Sequence, residues 1–262
     1  RKDNPEARMS IGDHLRELRQ RLFVSAAGVM VMTVVGYLVY ERAFALITRP
    51  IEQANAKGAH LTLNFDTILA SFDMKLEVSI WLGILFSSPL WIYEFWAFVG
   101  PGMTRKEKAY TWAYGTAGLF LFLAGAALGI WVMPHAVAIL TGFIPNGPTA
   151  GVIGANLYLS FIMRMVLAFG IAFLLPEVLV ALNMLGLMRG KTMLKGWRWA
   201  IVGIVTFMAI VNPMPDPWSM IFMSVPIAGL YFLACFISIR HDKRVERKRA
   251  ELDAELEAAL AE

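Results

Sequence analysis

Two acidic residues at the edges of long apolar runs carry the chemistry this sequence suggests: Glu17 and Glu107. Glu17 sits in a segment where Ile11, Leu15, Leu18 and Leu22 recur every three or four residues and Asp13, Arg16, Glu17, Gln20 and Arg21 fill the other face. Glu107 closes the stretch that begins at Phe95. There the aromatics Phe95, Trp96 and Phe98 come first, then the turn Gly100, Pro101, Gly102, then Arg105 and Lys106. A carboxylate grips a guanidinium through two parallel hydrogen bonds, so two acids on separate elements can receive two adjacent arginines. Each also has an ordinary reading. Thr104 to Glu107 matches a capping box that starts a helix, and Glu17 can pair with Arg21 at i,i+4, worth about 0.3–0.5 kcal/mol. The two kinds of reading are compatible.

Other polar residues are weighed the same way. Glu94 lies near the end of an apolar run, where a long side chain snorkels to the interface, or it joins Glu17 and Glu107. Phe95, Trp96 and Phe98 form an interfacial aromatic belt or the floor of an apolar peptide groove. Glu177 follows Pro176 inside an apolar run. A charge at mid-bilayer costs about 2.5–3.5 kcal/mol, so an acid there points to function, either protonated or facing a wet cavity. The four histidines and the lone Cys235 make no metal-ligand spacing. No Ser-His-Asp or nucleophile-elbow pattern occurs, so the chain reads as no enzyme, with no cofactor. The basic residues are explained by topology and do not call for nucleic acid.

These residues need elements to hold them. The sequence is 58% hydrophobic and 17% charged, with a mean hydropathy of +0.58. That charge content falls well below the roughly 25% of a soluble domain, which indicates an all-α polytopic membrane protein. Six apolar runs read as spanning helices, at about 22–40, 74–98, 109–133, 157–187, 197–211 and 218–239. Of the 24 Lys and Arg, 19 fall in the N-terminal segment, the second and fourth connections and the tail, which puts both termini in the cytoplasm. The fifth run is about 22 Å long, short of the roughly 30 Å hydrocarbon core. Pro89, Pro176 and Pro226 sit inside runs and should bend them. This organisation gives a membrane domain over 1–240, led by a helix lying along the interface, and a charged cytoplasmic tail over 241–262. Residues 41–73 read as a long outer loop carrying Pro50 and Phe72.

Several spaced motifs in order make the chain resemble TatC, the multispanning receptor subunit of the twin-arginine protein translocase. They are the segment from His14 to Leu22, Ser88 with Pro89, Trp96 to Phe98, Pro101, Glu107, Tyr158 to Phe161, Ala168 to Gly170, and Asn212 to Pro217. The resemblance implies a receptor for signal peptides with paired arginines on folded cargo, driven by the protonmotive force. It implies that Glu17 and Glu107 grip the arginines, with Phe98, Arg19 and Glu94 beside them. It ties Pro50, Phe72 and Pro89 to structure and assembly, and Glu177, Asn212 and Asp216 to polar positions for partner docking. The implied partners are the twin-arginine signal peptides, single-span subunits of the TatA and TatB type, further copies of the receptor and the lipid bilayer, in a prokaryotic cytoplasmic membrane. The chain departs from the pattern where Leu174 replaces a membrane-embedded acid, with Glu177 three residues on, and where Met220 replaces a polar residue of the last helix. The rival reading is a proton-coupled transporter using Glu177.

Overall fold

The structure, a computed structural model, describes residues 11–56, 61–99, 108–141, 151–184, 186–211 and 217–261. In chain order the elements are α1 (Ile11–Ala56), β1 (Leu61–Asn64), α2 (Ala70–Phe86), α3 (Ser88–Val99), α4 (Lys108–Thr141), β2 (Gly151–Gly154), α5 (Ala155–Met184), α6 (Gly190–Lys195), α7 (Trp197–Val211) and α8 (Pro217–Ala261). The six apolar runs correspond in order to α1, the α2–α3 pair, α4, α5, α7 and α8. Of these, α1, α4, α5 and α8 are long and apolar enough to cross a bilayer, α2 and α3 qualify as one bent pair, and α7 is shorter.

Three expectations are corrected. The segment before Leu22 does not form a separate interfacial helix: α1 runs unbroken for 46 residues, about 69 Å. Its residues 41–56 are helix too, not loop, and Pro50 is accommodated inside it. The reason is that helix propagation adds a hydrogen bond for each residue fixed, so a polar turn adjoining an apolar one extends the helix. The tail likewise continues α8 to Ala261 without a break at residue 240. Third, sequence reading passed over a small sheet that accompanies the all-helical fold. Leu61–Asn64 pairs in parallel with Gly151–Gly154, Leu61 opposite Gly151. Strands four residues long and about 90 residues apart leave no periodic signal, because pairing across the chain decides them. Asn55 starts β1 by mimicking a strand: its side chain donates to the Leu61 carbonyl at 2.9 Å and accepts from the Leu61 amide at 2.8 Å.

The chain divides into two compact units, Arg1–Ile171 and Ala172–Glu262, with the division inside α5. In the first, α1 and α2 lie very close. A methyl added at Gly36 would come within 2.6 Å of the Ser79 carbonyl oxygen, and one at Gly83 within 2.8 Å of the Thr33 amide. Small residues at such contacts are the membrane substitute for a hydrophobic driving force, since lipid tails are as apolar as leucine. The faces turned away are greasy: Leu22, Phe23, Met30 and Leu38 of α1 are all exposed, as a lipid-facing helix requires.

Between α2 and α3 the helix axis bends by 53° at Ser87. Pro89 is the second residue of α3, in the first turn, where its missing amide costs little. The Ile84 carbonyl left at the break accepts from the Trp91 indole at 3.0 Å and from the Ser87 hydroxyl at 3.2 Å. Trp91 also meets Phe122 edge-on. Pro50 is buried in α1. Beside the carbonyl it leaves unpaired, the next one, of Ile47, accepts from the buried Tyr158 hydroxyl at 2.8 Å.

In the second unit the tail clamps α6. Asp242 accepts from the Gly190 amide at 2.7 Å and from the Asn183 side chain at 2.8 Å. Gly190 is pressed so close to α8 that an added methyl would lie 2.5 Å from the Ile239 amide. The Tyr231 hydroxyl donates to the Met193 carbonyl.

Replacing Gly36 with Val should force α1 off α2 at a cost of about 1–3 kcal/mol, read as a drop of several degrees in melting temperature in detergent. Gly203→Ala, where nothing lies within 4 Å of the added methyl, should cause no drop.

Candidate functional site

The site is built where α1 meets α3. His14, Glu17 and Arg21 fall at i, i+3 and i+7, a single face of α1. Glu94 and Phe98 fall at i and i+4 on α3. The two faces meet in antiparallel register: His14 stacks on Phe98, centroids 4.4 Å apart and planes 17° apart, while Arg21 reaches Glu94. The Arg21 guanidinium is shared. Its Nε and Nη2 donate to Glu17 Oε1 at 3.0 and 2.6 Å, and its Nη1 donates to Glu94 Oε2 at 2.7 Å. The three side chains are 26%, 21% and 16% exposed for Arg21, Glu17 and Glu94, so water screens them only in part.

Charge and hydrogen bonds both leave a surplus. Among the described residues two carboxylates face one guanidinium, a formal excess of one negative charge. Glu17 Oε2 is buried and has no hydrogen-bond partner among the described residues. A buried acceptor without a donor is unfavourable by about 1–3 kcal/mol, so the cluster is stabilised by any further donor that reaches it, above all a charged one. One ring pair borders it, the His14–Phe98 stack, and further rings tie α3 to α4. Trp96, buried, stacks on Tyr114 of α4 at 5.0 Å and meets Phe95 edge-on, and Tyr93 lies against Trp112 of α4.

The sequence candidates fare unevenly. Glu17, Glu94 and Phe98 come together. Arg19 does not join them: two residues on from Glu17 it lies about 200° round the helix, on an exposed groove with Arg16, Gln20 and Phe23. Glu107, Asn212 and Asp216 lie outside the described residues. Glu177 is only 5% exposed, on α5 just after Pro176. Phe72 is exposed on α2. Sequence reading credited Arg21 with its i,i+4 pairing to Glu17, which is present, but not with its second arm to Glu94. It also passed over His14. The signal for both was the spacing of His14, Glu17 and Arg21 against that of Glu94 and Phe98. Glu77 was missed as well. Its Oε1 accepts from the Ser160 hydroxyl at 2.6 Å and from the Trp81 indole at 3.4 Å, so it joins α2 to α5. Nearby in sequence, the Lys75 ammonium sits over the Tyr37 ring at 4.4 Å.

Long apolar helices with outward-facing greasy side chains, and a partly buried charge cluster at one helix junction, define a polytopic all-helical membrane protein. The chain belongs to the TatC family: the family described as Sec-independent protein translocase protein (TatC) matches residues 13–226. Relatives of that name include one from Xylanimonas cellulosilytica, 43% identical over 93% of this chain and 88% of its own length. One from Rothia mucilaginosa is 37% identical over 96% and 86%. A chloroplast member from Arabidopsis thaliana is 30% identical over 85% and 64%. The crystal structure of a twin-arginine translocase receptor, TatC, in DDM superposes with a TM-score of 0.76 at 26% identity, covering 86% of this chain and 99% of the other. The chain is thus a component of a protein translocase that functions with other subunits, and this membership does not favour the transporter reading.

The coupling across the junction is measurable. Arg21→Gln and Glu94→Gln should each destabilise the protein, by about 1–3 kcal/mol. A double-mutant cycle should show a coupling of about 1 kcal/mol between them. Additive losses would mean the observed contact contributes nothing.

Proposed function

We propose that this chain is the signal-peptide receptor and core scaffold of a twin-arginine translocase. Paired arginines of a folded cargo's signal bind at the α1–α3 junction, with Glu17 and Glu107 as the gripping carboxylates. Glu94 supports Glu17 through Arg21, and Phe98 supplies an apolar wall. The observation that supports this most is the surplus at Glu17: among the described residues, a negative excess and an acceptor oxygen without a donor, one helical turn from the His14–Phe98 stack. A guanidinium supplies what is lacking in both respects, and its planar donors fit a carboxylate better than an ammonium does. Glu107 immediately precedes Lys108, the first residue of α4, and α4 brings Tyr114 against Trp96. That proximity in the chain is why Glu107 is assigned to the same recess.

The proposed arrangement in the membrane has six spans, the bent α2–α3 pair counting as one, with residues 1–240 embedded and 241–262 in the cytoplasm. The Lys and Arg distribution supports both termini on the cytoplasmic side of a prokaryotic inner membrane. α7, 15 residues long, spans only by drawing the bilayer thin beside it. Glu177, Asn212 and Asp216 are proposed as polar positions for docking single-span partners of the TatA and TatB type. Pro50 and Phe72 are proposed for assembly of receptor copies, and Phe72 has the exposure that such a role requires.

Glu17→Gln and Glu107→Gln should each weaken binding of a labelled twin-arginine peptide by roughly 10–100-fold, measured by fluorescence anisotropy on the purified protein. A twin-lysine peptide should lose much less. Equal losses for both peptides would overturn the assignment.

A further inference from the structure

We propose that an open cavity bounded by α6, α7 and α8 is a binding site for the headgroup of an anionic phospholipid. The cavity measures about 740 Å³ and is lined by Lys191, Leu194, Lys195, Trp197, Arg198 and Phe232. Three of the six are cations and none is an acid. Lys191 and Lys195 are one turn apart on α6, and Arg198 is the second residue of α7, across the single-residue break at Gly196. Among the described residues none of the three pairs with a carboxylate; Arg198 rests over the Trp197 ring at 5.6 Å. Asp242, the acid that holds α6, already accepts from Asn183 and the Gly190 amide.

The helix that carries two of the cations is also held in place. Asp242 fixes one end of α6 and Tyr231 grips the carbonyl of Met193. Fixing charges before the ligand arrives lowers the ordering cost of binding. The remaining lining says which anion fits. Leu194, Trp197 and Phe232 are each exposed by about 40%, an apolar wall with no use for a free, fully hydrated phosphate. It suits the glycerol and upper acyl carbons of a lipid. Trp197 and Trp199, at the start of α7, are the amphipathic rings that sit at headgroup level. The short α7 brings headgroups inward beside it. Basic pockets between membrane helices at this depth take anionic headgroups. Placing the site in the cytoplasmic leaflet rests on the topology proposed above; the binding itself does not.

The test is native mass spectrometry of the purified chain in uncharged detergent, titrated with phosphatidylglycerol or phosphatidylcholine. Phosphatidylglycerol should bind preferentially. The variant carrying Lys191→Gln, Lys195→Gln and Arg198→Gln should lose that binding by about 100-fold, each cation contributing about fivefold. Its phosphatidylcholine binding should not change. Lys195→Gln alone, with its fivefold loss, decides the matter if the triple variant fails to fold. Free glycerol phosphate at the lipid's concentration should not displace it. Undiminished phosphatidylglycerol binding by the variants would overturn the proposal. So would displacement by glycerol phosphate, which would mark a site for free phosphate.

Discussion

One guanidinium shared by two carboxylates ties α1 to α3, and the register of the whole junction follows from it. Arg21 is too far from water to be screened well and too exposed to be costly, a setting in which a charge-assisted hydrogen bond contributes more than at an open surface. With Arg21 on Glu94, the antiparallel run of the two helices leaves His14 opposite Phe98. The 53° bend at Ser87 is what turns α3 toward α1. Without that bend Glu94 would continue along the axis of α2. The bend itself is made tolerable by Pro89 at a position that needs no amide and by Trp91 and Ser87 donating to the carbonyl at the break.

The cluster is balanced for structure but not for charge. Arg21 satisfies Glu17 through one oxygen and, among the described residues, leaves the other without a donor. A site meant only to lock two helices would pair its charges evenly, since an excess buried charge is unfavourable. Here the excess lies one helical turn from the His14–Phe98 stack, where an apolar segment can lie beside a charged one. The resident arginine also shows the geometry that a second guanidinium would need: a planar donor in reach of a carboxylate at 2.6–3.0 Å.

Elsewhere the chain handles freed backbone groups by the same means. At the start of α6, Asp242 takes the amide of Gly190. In lipid an unsatisfied backbone group is worth several kcal/mol, so each irregularity needs a named partner, and these are often distant in sequence. The tail residue Asp242 is one such partner. The first turn of the charged tail is therefore part of the fold, although its composition suggests only solvation.

The sequence alone determined the class of protein, the six apolar runs and the family resemblance, and it named Glu17 and Glu94 as candidates. Hydrophobic length and charge are local properties, and the bilayer reads them segment by segment. It also held the i,i+4 contact of Glu17 with Arg21, because helical spacing is local too. Tertiary structure decided the rest: the second arm of Arg21, the stacking of His14 on Phe98, and the pairing of Leu61–Asn64 with Gly151–Gly154. It also decided that α1 continues unbroken through residues that read as an interfacial helix and a loop. Each of these depends on which side chain of another element lies opposite, and a period of 3.6 residues along one helix carries no record of its neighbour.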